Sequence, residues 1–207
     1  MVETTSELVA RVMATVWRYM ARSGWPVEQH AEGWISGTIH GDNGLREWIA
    51  RCSSDGEFLW FCTYVPVYVP RRRRAAVAEY VTLANWGLQF GNFELGGTDG
   101  LVVFRTAVPL GGRCPSCATL SHQATASFWQ MDWHLPGLMA VAHGKVSPKR
   151  ALRRVERERQ IARDRARAAA PETAPAESPD AAASPASNTS EPNLMDERRK
   201  RWFTSEN

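Results

Sequence analysis

The chain has 207 residues, 43% of them hydrophobic and nine of them Trp, with a formal net charge of +3. No apolar run approaches the roughly 20 residues that a membrane-spanning helix needs. The acidic, polar start MVETTSEL lacks the character of a secretory signal, so a cytoplasmic protein with reduced thiols is expected.

The charge is unevenly spread. Residues 1–145 carry twelve groups of each sign, and residues 146–170 carry nine basic and three acidic groups. Residues 171–195 carry four acidic and no basic groups, and residues 196–207 four basic and three acidic. The basic balance therefore belongs to the extension, not to the body. Composition divides the chain into a folded domain over residues 1–150, a basic helical extension over 151–170, and a disordered tail over 171–207 that ends in the basic cluster DERRKRWF. A domain of roughly 150 residues can bury a core without staples.

In chain order, Thr4 and Glu7 have capping-box spacing, and Leu8, Val9, Val12, Met13, Val16, Trp17 and Met20 recur at helical period. This predicts a first helix over 5–22, closed by Gly24. A short extended piece, 25–30, follows. Strands are predicted over 34–40, 45–52 and 57–65, separated by the turns Gly41–Gly44 and Asp55–Gly56, which makes an antiparallel meander. Pro66 and Pro70 bracket a link into a second helix, which opens on Arg71–Arg74 and runs through Asn85 and Phe90 to Gly91. The cations in its first turn oppose the helix macrodipole. Then come the short strand NFEL (92–95), a Gly-rich reversal, and the strand LVVFRTAV (101–108). A helical region over 119–143 is interrupted by Pro136 and Gly137, so two helices or a kink are expected. Ser147 and Pro148 start a last helix that runs to about residue 170. Its apolar positions end effectively at Val155.

Alternation along the meander divides its residues into two faces. One carries Ile35, Ile39, Ile49, Leu59, Phe61 and Val65; the other carries Trp34, Trp48, Trp60 and Tyr64, with Thr38 and Cys52 among them. Both are partly apolar, so both are candidates for cover. Trp34, Trp48 and Trp60 are the candidate partner-binding residues, because aromatic residues are enriched at interfaces; burial under helices is the competing reading.

No catalytic motif is present. The five His residues lack metal-ligand spacing, and Gly91, Gly96, Gly97 and Gly100 lack dinucleotide spacing. No metal and no cofactor are expected. Cys114 and Cys117 form a Cys-Pro-Ser-Cys loop that reads as half a zinc site, with His122 as a conceivable third ligand, as a redox dithiol, or as two incidental thiols. The arginines of the last helix could contact nucleic-acid phosphates, but Glu156, Glu158 and Asp164 interleave with them, which favours a self-paired exposed helix.

Four stretches carry a family resemblance: SGWPV, FLWFCTYVPVYVP, VAEYVTLANWGLQFGNFELGGTDGLVVFRTAVPL and LPGLMAVAHGKVSPKRAL. Spanning about 5–155, they resemble the YbjN family, described as bacterial sensory transduction regulators. The resemblance implies a type III secretion chaperone-like fold: helix, three strands, helix, two strands, helix. The expected class is therefore α+β, an antiparallel sheet of about five strands with helices mainly on one face. It also implies a non-enzymatic, chaperone-like or regulatory module that binds an unidentified protein partner and forms a homodimer. The Cys-Pro-Ser-Cys loop and everything past Val155 depart from the pattern. The alternatives are a thiol or zinc protein built on Cys114 and Cys117, or a nucleic-acid binder built on the arginine-rich helix. A membrane partner is not expected.

Overall fold

The computed structural model describes residues 4–31 and 33–169. The predicted disordered tail and the terminal basic cluster lie outside the described residues. The first helix, α1 (Thr5–Arg22), opens with the capping box: the Glu7 amide donates to the Thr4 hydroxyl, and the Glu7 carboxylate accepts from the Thr4 amide at 2.8 Å. Its stripe of Val12, Met13, Val16 and Met20 is buried, and the chain leaves it through Gly24 at φ 74°. The strands are β1 (Glu28–Gln29), β2 (Trp34–Gly41), β3 (Gly44–Cys52), β4 (Phe58–Tyr68), β5 (Asn92–Leu95) and β6 (Leu101–Pro109). They form one antiparallel sheet in the order β1-β2-β3-β4-β6-β5. The class is α+β as expected. The strand beyond the expected five is β1, a two-residue edge strand.

A 3-10 turn, Arg71–Arg73, leads into α2 (Arg74–Trp86); α3 (Cys117–Ala142) and α4 (Pro148–Ala169) complete the chain order. Helices and sheet enclose two cores on one side of the sheet. In the first, α1 and the start of α3 pack on Ile35, Trp48, Ala50, Leu59 and Phe61. In the second, α2, the rest of α3 and the start of α4 pack on Phe93, Val102 and Phe104.

The β2–β3 register corrects the division of the two faces. Gly41 pairs with Gly44 across a two-residue turn, so opposed residues have opposite parity: Ile35 faces Ala50, and Gly37 faces Trp48. The β3–β4 pairs, Cys52 with Leu59 and Ala50 with Phe61, reverse parity again. Trp48 and Cys52 therefore lie on the inner face with Ile35 and Phe61, and Ile49 lies on the outer face with Trp34 and Trp60. A shift of one residue exchanges every side chain of a strand between the two faces, and here the turn length sets the phase of β3.

Three further boundaries differ from expectation. β4 passes Pro66 and continues to Tyr68, with its register broken between Tyr64 and Tyr68; an irregular stretch tolerates the N–H that proline lacks. The second helix stops at Trp86 and not at Phe90. Its last amides make tight bonds, Gly87 N–H to Ala84 O at 3.1 Å and Leu88 N–H to Asn85 O at 3.2 Å. The chain then turns at Gly91, φ 73°, where a Cβ would come within 2.6 Å of the Phe104 ring and 2.8 Å of Arg105 O. Close approach to β6 sets this return, so Gly91 ends the turn, not the helix.

The third is α3, which is one helix of 26 residues with Pro136 inside it. Proline removes the amide that would reach the carbonyl of residue 132. In its place the Asn43 side-chain amide donates to Asp132 O at 3.1 Å. The Asn43 backbone amide donates to the Asp132 carboxylate at 3.1 Å, and that carboxylate forms a buried ion pair with Arg46. The β2–β3 turn is thus fastened to the proline position of α3.

Two of the four arginines at the start of α2, Arg73 and Arg74, bind backbone carbonyls. Arg73 donates through two nitrogens to Val141 O, at 3.0 and 2.8 Å, next to the end of α3, where the macrodipole favours a cation. Arg74 donates to Val69 O, Gly97 O and Thr98 O. Glu94, on β5, pairs with Arg105 of the neighbouring β6 at 2.9 Å.

A candidate protein-binding face

The outer face of the sheet is the candidate site. The strands place residues on it by pairing: Ser36 with Ile49 and Cys62, Cys62 with Arg105, and Tyr64 with Val103. Asn92 and Glu94 extend it across β5. Trp34, Ile49, Cys62, Tyr64, Leu101 and Val103 are buried and form a cluster of their own, with Tyr68 packed against it. Every member belongs to a strand. Burial also pushes the Cys62 thiol up to about 12, which keeps it a protonated apolar filler at neutral pH.

A polar and aromatic rim surrounds this cluster. The His30 ring stacks on Trp34 at 3.4 Å between centroids and shares a 2.8 Å hydrogen bond with the Ser36 hydroxyl. The Arg105 guanidinium lies 5.7 Å from the centre of the Trp60 ring while bonded to Glu94. Trp60 is half-buried. Cation–π contact and ion pairing together fix Arg105 beside Trp60. An apolar centre, aromatic side chains and a charged rim are the composition common at recognition surfaces, which makes this face the candidate.

The structure brings Trp34 and Trp60 to this face and takes Trp48 away from it. Trp48 is fully buried, stacked on Phe61 at 5.3 Å and edge-on to Trp25 and Phe128. Tyr64 is on this face as the alternation predicts; Tyr68, Leu101, Val103 and Arg105 were not singled out from the sequence. For Leu101 and Val103 the signal is the unbroken apolar run at the start of β6, which indicates burial on both faces.

The other candidate groups stand apart. Cys117 is the exposed first residue of α3, whose N-cap is Ser116; the Thr119 amide donates to the Ser116 hydroxyl at 3.0 Å. Cys114 packs against the first core and accepts a 3.8 Å contact from the Thr15 hydroxyl. His122 packs on Phe90. Among the described residues, no three His, Cys, Asp or Glu side chains group as metal ligands would, and no helix is long and apolar enough to cross a membrane. On α4, Arg154 pairs with Glu158 at 2.8 Å, and Arg159 stacks over Trp133 at 4.4 Å. The first contact pairs α4 along its own surface, and the second ties it to α3.

No curated protein matches the chain. One solved chain, from the crystal structure of the ExsC–ExsE complex, is similar at 19% identity over 62% of this chain and 95% of that chain, with a TM-score of 0.35. The family model for YbjN, "Putative bacterial sensory transduction regulator", matches residues 14–121. That match takes in the second half of α1, the whole sheet with its outer face, α2 and the start of α3, just over half of the chain, and the protein belongs to the YbjN family.

Proposed function

We propose that this protein is a non-enzymatic regulatory or chaperone-like module that binds a partner protein on the outer face of its sheet. The observation that carries the reading is the second apolar cluster on that face, built from strands alone and rimmed by Trp60, Arg105 and Glu94. Family membership supports a regulatory role. A photo-cross-linker in place of Trp60 identifies the partner in the source cells. Trp60→Glu in the full chain is then expected to lose that partner, while Trp129→Glu, on the opposite layer, keeps it. Equal capture by a folded Trp60→Glu chain would overturn the reading.

Homodimer formation belongs to the same proposal and rests on a different surface. Trp86, at the end of α2, is 94% exposed, and large aromatic side chains are seldom left so open without a use. Two-fold pairing through the α2 end would cover it. Light scattering on the full chain is expected to give a dimer mass that Trp86→Ser lowers towards the monomer. A monomer mass for the unchanged chain at tens of micromolar (about the range in which weak dimers populate) would end the dimer proposal.

A further inference from the structure

We propose that the outer face is the docking site of the chain's own C-terminal cluster, residues 196–203, which covers the face in cis until a partner displaces it. The regulatory half of this statement rests on the function proposed above; the docking half does not.

The first support is burial. Tyr64, Leu101 and Val103 are 0% exposed, and Ile49 and Cys62 nearly so. The buried apolar residues of α1 and α2, and most of those of α3 and α4, belong to the two cores on the opposite side, and no helix residue belongs to the outer-face cluster. A solvated face of an antiparallel sheet alternates its apolar side chains to the other side, whereas this one is apolar and closed to water. The cluster runs from Trp34 on β2 to Leu101 and Val103 on β6, four neighbouring strands, or roughly 14 Å across.

The second support is reach. The last described helix ends at Ala169. Residues 170–195 are dominated by Pro, Ala, Ser, Thr and Glu and carry no basic group. A random coil of that length has an end-to-end distance of roughly 28 Å and a fully extended one roughly 90 Å, against the roughly 21 Å by which α4 runs past its last buried residue, Val155. Tethering at this length gives an effective concentration of about millimolar order, so a weakly binding segment is mostly docked and still displaceable.

The third support is chemistry. The cluster DERRKRWF joins Arg198, Arg199, Lys200 and Arg201 to Trp202 and Phe203. The outer face offers an apolar centre to the two rings. Its pairing pattern sets three carboxylates, Glu28, Glu47 and Glu94, and two guanidiniums, Arg51 and Arg105, on the same side of the sheet, with Glu94 already paired to Arg105. Two aromatics preceded directly by basic residues complement an apolar patch whose flanking charge is, on balance, acidic. The rest of the tail, acidic and poor in apolar side chains, lacks both features.

Cys62 reports directly on this cover. Iodoacetamide labelling of the full chain, read residue by residue by mass spectrometry, is expected to spare Cys62 and Cys52 alike. In full-length Trp202→Asp/Phe203→Asp the Cys62 rate is expected to rise at least about tenfold, with Cys52 of the inner core still protected as the control for folding. A peptide of residues 194–207 added in trans should restore protection. Unchanged protection of Cys62 in the double variant would overturn the docking. So would protection in the unchanged chain that fades on dilution, since the cover would then come from a second copy. Independently of any folding defect, benzoylphenylalanine in place of Trp202 is expected to cross-link within the chain to β4 or β6; cross-links confined to the helices would also overturn it. None of these measurements involves a partner. Failure to find one at Trp60 would therefore sink the proposed function alone, and exposure of Cys62 in the unchanged chain the docking alone.

Discussion

Asp132 acts through two groups. Its carboxylate neutralises Arg46 inside the protein and accepts the Asn43 amide; its carbonyl, freed by Pro136, accepts the Asn43 side chain. Burial lowers the affinity of Arg46 for its proton and the Asp42 carboxylate opposes that loss, while the ion pair with Asp132 gives the buried charge a counter-ion where an isolated one would be costly. Gly41 is required beside the pair, because a Cβ there would fall onto Arg46 and within 2.7 Å of Asp132. His134 shows the opposite solution to burial. Its Nδ1 lies 3.0 Å from the Tyr80 hydroxyl in the second core. Burial first, and the charge of Arg159 second, pull its pKa from 6.5 down to about 4. The unfolded chain therefore binds a proton that the folded protein refuses across this interval. The contribution is fully present above about pH 6.5 and is lost as the pH falls towards 4, to the extent of roughly 3 kcal/mol. Urea midpoints measured across this range should fall with pH for the unchanged chain and fall less for His134→Leu. Equal slopes for the two would show that His134 stays unprotonated for no energetic reason.

Among the elements, β5 depends most on a single side chain. It is an edge strand of four residues, and an edge strand presents unpaired backbone groups. Asn85, in the last turn of α2, supplies the missing partner: its Oδ1 accepts from the Phe93 amide at 2.7 Å, and its Nδ2 donates to the Phe93 carbonyl at 3.0 Å. One carboxamide thus imitates the backbone of a neighbouring strand and ties the helix to the sheet. This gives a physical meaning to the Asn-to-Phe-Glu-Leu spacing that marked the stretch in the sequence. Asn85→Ala is expected to cost about 1–3 kcal/mol and to speed exchange of the Phe93 amide more than that of the amides in β3. Unchanged exchange at Phe93 would show that packing alone holds β5.

At the scale of the whole molecule, α4 joins body and extension. Residue 150, where composition divides the chain, falls inside this helix; Ala151 and Leu152 are buried in the second core, and Val155 is buried beside Gly137 of α3. Past Val155 the helix is largely exposed, and Ile161 is 44% accessible. Leu152→Ala should therefore destabilise by about 2–5 kcal/mol, whereas Ile161→Ala should stay within about 0.5 kcal/mol, both measured by urea unfolding. Equal effects would mean that the helix is held along its whole length or not at all. Gly137 sits where α3 meets this packing: a Cβ there would come within 2.5 Å of the Tyr80 hydroxyl and 2.9 Å of Val155. Three helices can meet over the sheet because this position is glycine.

The order and type of the elements were legible in the sequence because each rests on local physics. The capping box placed α1 to the residue, turn residues separated the strands, and Ser147-Pro148 marked the start of α4. What could not be read locally was decided by contacts between distant residues. The phase of β3 depended on a two-residue turn that reverses parity, so Trp48 left the presumed binding face and Ile49 joined it. The continuity of α3 through Pro136 depended on Asn43, 93 positions earlier by the numbering of the chain. The fate of Arg73 and Arg74 depended on carbonyls at Val141 and Gly97. In each case the local signal was ambiguous or unfavourable, and tertiary packing supplied the hydrogen-bond partner or the register that resolved it.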